Sequence, residues 1–441
     1  VNVKKAAGAL LFSAVMAACS HRLCLPQEGA RPVTIEECVQ LGLEHSPSLH
    51  AASSTIRASE AAVRGAKALR IPALKARAEY DRLSELSQPA IMLPPPISVP
   101  VTLGSDILNS YIMQLELRQS LFTGFSIPSQ IERATYFVEE SRYGYQNRKL
   151  EVIHDVQEAF WNLARALEGQ RILNDHISVL EDHLSDVKNF YDHGLVTYNE
   201  VLTVELQLAR TRQQALRAEN ETRIARERLN LLTGLGNQTR TVPQVDLSSP
   251  LPEPGELHVL MEKALSENPL VLTSSKHIRR TDAELKLVDS GFYPSVYLTG
   301  SYVYGRPNPR QFPPRDEFEG SWEIGLVTEL DLGSWRTLLA EREKTLAQKN
   351  QLEDELKQLR DSITLAVTNA YLTLDSVRRQ ISVAVEAILQ AEENYRIVSD
   401  EFKNGLALSS ELLDAELYLL QAKLDHTTAR IDYEITLIAL S

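Results

Sequence analysis

The sequence has little of what marks several common classes of protein, and each shortage narrows the reading. Of 441 residues only three are cysteine: Cys19 and Cys24 lie in or beside the amino-terminal leader and Cys38 in a helical pattern, which leaves no disulfide framework and no zinc-ligand spacing. Aromatic residues make up 6% and glycine occurs 19 times, against 24% charged residues, a balance nearer to long amphipathic helices than to a compact enzyme. No Gly-rich phosphate loop, Gly-x-Ser-x-Gly elbow or His-Glu-x-x-His pair is present. An enzyme is therefore not expected, nor a cofactor or a metal. The ten histidines are scattered; His176 and His183, seven apart on one helix face, are expected to be solvated rather than ligands. Clustered Lys and Arg are also missing: the formal charge is −13 and the basic residues are interleaved with acids, which argues against nucleic acid as the main ligand. Downstream of the leader, no segment approaches the run of about 18 apolar residues that a membrane helix requires. If the mature chain enters a bilayer, it does so as a barrel.

What is present begins with Lys4 and Lys5, an apolar run over residues 6–18 and the small pair Ala17 and Ala18, the pattern of an export signal over residues 1–19. Two processing routes fit: ordinary cleavage near Ala18, or lipoprotein processing with acylation of Cys19, for which Met16 is a poor match three residues before the cysteine.

The rest of the chain is a repeat. Pro47 and Pro72 recur 222 positions later as Pro269 and Pro294, in Glu44-His45-Ser46-Pro47 against Ser266-Glu267-Asn268-Pro269. Further on, Gly194, Glu200, Leu202, Glu205 and Leu208 recur 211 positions later as Gly405, Glu411, Leu413, Glu416 and Leu419. Two copies of one plan result, residues 34–240 and 256–441, joined by a Pro-rich linker at 241–255.

Periodicity changes in the same order within each copy. A helical pattern over residues 34–70 ends at Pro72. Leu74, Ala76, Ala78 and Tyr80 then alternate with Lys75, Arg77, Glu79 and Asp81, and after a Pro-rich loop at 88–100 a second strand sets Tyr111, Met113, Leu115 and Leu117 against Gln114, Glu116 and Arg118. The second copy places Val296, Leu298, Tyr302 and Tyr304 in one strand, then a Pro-rich loop at 306–314, then Trp322, Ile324 and Leu326 opposite Glu323 and Glu329. Each second strand runs into a helical pattern at 128–193 or 334–404, on the order of 100 Å long at a rise of 1.5 Å per residue. Helices of that length must pack laterally as a coiled coil or tube. Each ends at a glycine suited to a left-handed cap, Gly194 or Gly405, and a shorter helix returns over 198–232 or 409–440.

Strands with carboxylates and cations on one face and aliphatics on the other fit a transmembrane barrel, water inside and lipid outside; a sandwich edge is the competing reading. In the barrel reading Lys75, Arg77, Glu79, Glu116, Arg118, Glu323 and Glu329 face the lumen. Tyr111, Tyr297, Tyr302, Tyr304 and Trp322 form interfacial girdles or simply pack along the strands. Four strands cannot enclose a wet lumen and would leave open edges in lipid, so several chains are required, and three give twelve strands.

This order of segments resembles the TolC family of outer-membrane factors over essentially the entire chain after the leader. The duplication, two strands per copy, long helix, glycine tip and returning helix all coincide. Residues 191–202 and 402–413 resemble the family's tip motif, aromatic-x-x-Gly-Leu and then an acid, Val or Leu, and Leu. The resemblance implies a mainly α fold with a transmembrane β-barrel: a homotrimer with a twelve-stranded barrel in outer-membrane lipid, continued by a long α-helical barrel in the periplasm. It implies a channel, the exit duct of a tripartite efflux or type I secretion system, working with a periplasmic membrane-fusion adaptor and an inner-membrane pump of RND or ABC type. It further implies that Glu411 and Asp414, with Glu200 as the first-repeat equivalent of Glu411, constrict a periplasmic gate; solvated helix carboxylates are the plainer reading. Phe402 and Ala407 depart from the tyrosine and arginine that lock this entrance in better-known members, so closure here would rest on something else, such as packing of Phe402. The tips Gly194, Leu195, Val196 and Thr197, and Gly405, Leu406, Ala407 and Leu408, are adaptor contacts or leucines stapled back onto their own helices. A periplasmic coiled-coil adaptor or scaffold without a channel accounts for the leader and the helices but not for four amphipathic strands at repeated positions.

Overall fold

The computed structural model describes residues 29–85, 90–92, 95–96, 100–102, 107–237, 239–247 and 249–440. The leader, with Cys19 and Cys24, lies outside them. The elements run β1 (Arg31–Val33), α1 (Ile35–His45), α2 (Pro47–Ala68), β2 (Ala73–Arg82), β3 (Ala90–Met92), β4 (Pro100–Thr102), β5 (Asn109–Thr123), α3 (Ser126–Asp192) and α4 (Tyr198–Thr233), then β6 (Thr241–Pro243), α5 (Leu257–Glu267), α6 (Pro269–Asp289), β7 (Ser295–Arg306), β8 (Glu319–Glu329), α7 (Trp335–Lys403) and α8 (Ser409–Ile438). The helical stretch expected over 34–70 is two helices, α1 and α2, broken at Ser46. Pro47 disfavours helical geometry in the residue before it and fits the first position of the next helix, where no N–H is needed. The second copy breaks the same way at Pro269, where Asn268 caps α6 by accepting from the Leu270 N–H at 2.9 Å. The chain divides into two compact units, residues 47–149 with 255–368, and residues 1–46 with 150–254 and 369–441.

In the first unit β2, β5, β7 and β8 form one antiparallel sheet in that order, and β3 pairs with β4 inside the first Pro-rich loop. Register carries each face straight across all four strands. Leu74, Leu117, Gly300 and Ile324 are in line, as are Ala76, Leu115, Tyr302 and Trp322, while Lys75, Glu116, Ser301 and Glu323 line up on the opposite face. A one-residue slip would exchange the two faces, so this alternation fixes the register. A bulge at Leu121 bends β5 where it approaches α3. Among the described residues, the outer edges of β2 and β8 pair with nothing. Ion pairs between helices hold the rest of this unit, with Lys276 to Glu139 at 2.7 Å and Lys349 to Asp282 at 2.8 Å.

In the second unit α4, α8 and the distal parts of α3 and α7 pack side by side. Neither α4, α7 nor α8 contains glycine or proline, which lets each run unbroken. Buried residues of α4 fall at Val201, Val204, Leu208, Thr211 and Ala215 in alternating steps of three and four, and then a full heptad apart at Thr222 and Leu229, the seam of a left-handed coiled coil. One core lies at the hairpin tips and another around Val156, Phe160, Leu163, Leu229 and Cys38, whose thiol burial raises to about 11. The 241–255 segment, expected as a plain linker, is partly built structure: β6 pairs in parallel with β1, Arg430 donates to the carbonyls of Leu247 at 3.1 Å and Ser249 at 2.9 Å, and the Tyr433 hydroxyl donates to the Pro252 carbonyl. No helix among the described residues is long and apolar enough to cross a membrane.

Candidate functional site at the helical hairpin tips

Both helix-to-helix turns close in the same way. Gly194 and Gly405 adopt φ of +73° and +71°, a left-handed conformation that favours glycine. The Leu195 N–H donates to the Phe190 carbonyl and the Gly194 N–H to the Tyr191 carbonyl. The Leu406 and Gly405 N–H groups donate likewise to Glu401 and Phe402. This double bond is the Schellman closure, which satisfies the last carbonyls of α3 and α7. Its usual apolar staple is missing, since Leu195 is 71% and Leu406 80% exposed, and Leu408 is exposed too. Val196 and Ala407 instead turn inward against the tip core.

Glu200 and Glu411 take matching places in the first turn of α4 and α8. The Glu411 carboxylate accepts the Leu408 N–H at 2.8 Å, and that of Glu200 accepts the Thr197 N–H at 3.4 Å. Each carboxylate therefore caps a helix start that leaves N–H groups without partners, where negative charge is also favoured by the helix dipole. Glu411 and Asp414 are both exposed on one face of α8. The buried side of the same turns carries Leu412, Leu413 and Glu416. Phe402 is 2% exposed and packs between Phe190 and His183, with ring centroids at 5.3 and 5.2 Å.

The expectation that His176 and His183 are solvated is wrong: both are buried on α3. His183 Nδ1 lies 3.1 Å from a Glu416 carboxylate oxygen and its Nε2 lies 3.1 Å from the Ser409 hydroxyl. The His183 and Glu416 side chains are each 1% exposed. Burial raises the Glu416 carboxyl above the ordinary range, opposed by the hydrogen bond from His183. One heptad earlier, His176 has a buried Nε2 without a partner, and burial, helped by the charge of Lys423, holds the ring at about 4, so it is neutral at pH 7. The sequence held a signal for both histidines: His176, Leu180, His183 and Val187 follow the four-three-four spacing of a seam.

In the sheet-bearing unit the seven charged residues expected together do share one face. Arg77 pairs with Glu79 at 2.6 Å, Arg118 pairs with Glu329 at 3.3 Å and also lies 3.8 Å above the Tyr297 ring. The opposite face leaves Leu74, Leu115, Trp322, Ile324 and Leu326 exposed. Of the aromatic residues considered for girdles, Tyr111 meets Tyr80 and Phe318, and Tyr304 stacks on Phe318 at 5.3 Å, a cluster at one end of the sheet. Among the described residues, His154, Asp155 and Glu158 bring three potential metal-ligand atoms within 4.8 Å of one another, but the group is surface-exposed and Glu158 is engaged by Arg228 at 3.5 Å. Cys19 lies outside the described residues.

The duplication, the two-faced sheet and the two helical hairpins are the plan of a known family of outer-membrane proteins. The chain belongs to the outer membrane efflux protein family, which it matches over residues 38–235 and 260–441, and its place is the outer membrane, with the helical part in the periplasm. Outer membrane protein TolC of Vibrio cholerae serotype O1 is 22% identical over 292 residues, 65% of this chain and 65% of TolC, so the aligned part spans just under two thirds of that relative. The fold is that of the CmeC outer membrane channel of Campylobacter jejuni, with a TM-score of 0.78 at 16% identity over 92% of this chain and 84% of CmeC. It is equally that of VceC of Vibrio cholerae, with a TM-score of 0.76 at 16% identity over 92% of this chain and 94% of VceC.

Proposed function

We propose that three copies of this chain form the exit duct of a tripartite efflux or type I secretion system. The observation that carries this reading is the sheet: four strands with an exposed apolar face, a charged opposite face and two edges that pair with nothing among the described residues. In lipid, every backbone donor and acceptor at those edges must be paired, and with no membrane-spanning helix among the described residues the closure must come from other copies. Three sheets of four strands make a barrel of twelve, enough to surround a water-filled passage lined by Lys75, Arg77, Glu79, Glu116, Arg118, Glu323 and Glu329.

The helical hairpins extend the passage into the periplasm and narrow it at their tips. Threefold symmetry brings Glu411 and Asp414 of each chain into rings of carboxylates whose mutual repulsion makes the closed entrance easy to dilate and attractive to cations. Phe402, buried against Phe190, holds the second hairpin where the family's tyrosine would make a hydrogen bond. The exposed Leu195, Leu406 and Leu408 dock a periplasmic membrane-fusion adaptor, which links the duct to an inner-membrane pump of RND or ABC type. Mass measurement of the detergent-extracted protein tests the assembly. A trimer that dissociates or aggregates when detergent is withdrawn is expected, and a soluble monomer would contradict the reading.

A further inference from the structure

The buried His183, Ser409 and Glu416 trio does something that core packing alone does not require. Buried positions of α8 at Ser409, Leu413, Glu416, Leu420, Thr427 and Arg430 follow seam spacing, and α3 presents Leu180, His183 and Val187 at matching steps. His183 and Glu416 thus occupy positions where a coiled coil ordinarily places aliphatics. Both lie in or beside the apolar cluster of Leu180, Val187, Val201, Val204, Phe402, Leu412 and Leu413. A polar residue at one seam position lowers stability but fixes register, because sliding or separating the helices leaves a buried polar group without its partner. Both imidazole nitrogens are engaged, one by the carboxylate and one by the hydroxyl, at 3.1 Å each. Parting α3 from α8 breaks both contacts together.

We propose that His183, Ser409 and Glu416 are positioning residues that form a latch between the two hairpins of one chain, fixing their register and setting how readily the entrance dilates. The proposal rests on the reading of the tips as a channel entrance, but the latch itself is a property of hairpin docking. Ser409 immediately follows the tip turn, and the acids assigned to the constriction, Glu411 and Asp414, stand on the same two turns of α8 as Ser409 and Glu416. Loss of register at the trio therefore shifts those acids directly.

The test uses the full-length trimer in planar bilayers, with amide hydrogen exchange over residues 177–190 and 409–420 measured on the same preparations. His183→Ala is expected to raise the ratio of open to closed time by about tenfold or more, the factor that 1.4 kcal/mol carries, and to speed exchange in both segments. Glu416→Gln, whose amide can still bond His183, is expected to stay near wild type. Exchanging the partners, His183→Glu with Glu416→His, is expected to recover most of the closed time that His183→Ala loses, which mere refilling of volume would not do. Exchange and gating unchanged in His183→Ala would overturn the latch, as would a swapped pair no better closed than the single variant. A wild-type protein that never conducts would overturn the channel reading instead, and the exchange measurements would still decide the latch.

Discussion

The repeat puts a glutamate eleven residues after each tip glycine, and the two meet opposite fates. Glu205, on the first hairpin, is 41% exposed and pairs with Lys188 at 2.8 Å on the surface. Glu416, on the second, is 1% exposed and bound to His183 across a helix interface. The aromatic residue three before each glycine divides in the same way: Tyr191 is exposed and leans on Tyr198 with centroids 5.5 Å apart, whereas Phe402 is buried against Phe190. Helix, glycine closure and carboxylate cap are shared by both copies, because those depend on sequence within a few residues. Burial depends on which helix lies alongside, so duplication preserves local structure and leaves the contacts between copies free to diverge.

Four tests, drawing on seven substitutions, break or sharpen that contrast. Phe402→Ala should weaken the tip core by about 3–5 kcal/mol, and Tyr191→Ala by well under half of that, read as the opening free energies of tip amides in hydrogen exchange. Equal losses would mean that the burial difference carries no energetic weight. Glu416→Ala should cost about 3 kcal/mol because it strands a buried imidazole, against at most about 1 kcal/mol for Glu205→Ala, whose partner stays in water. The histidine seam adds a pH test. His176 titrates near 6.5 when unfolded and at about 4 when buried, so its contribution is full above pH 6.5 and is lost as the pH falls towards 4. Glu416, whose carboxyl burial raises, acts in the opposite sense, its contribution falling as the pH rises. His176→Gln should therefore remove on the order of 2 kcal/mol of acid sensitivity between pH 7.5 and 4.5, seen as a smaller fall in the unfolding temperature of the helical unit. The smallest effect belongs to the caps: Glu411→Ala and Glu200→Ala should each cost about 0.5–1 kcal/mol in the first turn of their helices, with the larger loss at Glu411, whose bond to the Leu408 N–H is the shorter.

Much of the fold was legible because long segments keep one period. The expected helices at 128–193 and 334–404 are found at Ser126–Asp192 and Trp335–Lys403, and the four strands fall where alternation placed them. Short features escaped. The breaks at Pro47 and Pro269 went unseen because proline at a first helical position leaves the apolar period running across the break. The strand at Thr241–Pro243 is too short to show any period, so composition alone made it a linker. At the tips the glycine closures were readable from sequence, but the burial of His183 was not. A polar residue in a seam looks solvated until its partner, 233 positions away in Glu416, is known. The gate role proposed for Glu411 and Asp414 came from family resemblance; what the structure shows is that Glu411 caps its helix.

The central claim, an outer-membrane conduit closed by an acidic entrance, is tested most directly by single-channel recording of the detergent-purified trimer in planar bilayers, beside a variant carrying Glu411→Ala and Asp414→Ala. Small cation-selective openings in the wild type, with higher conductance and weaker block by multivalent cations in the variant, are the predicted result. A protein that never conducts would contradict the claim, and conductance and block that do not change in the variant would remove those two residues from the entrance.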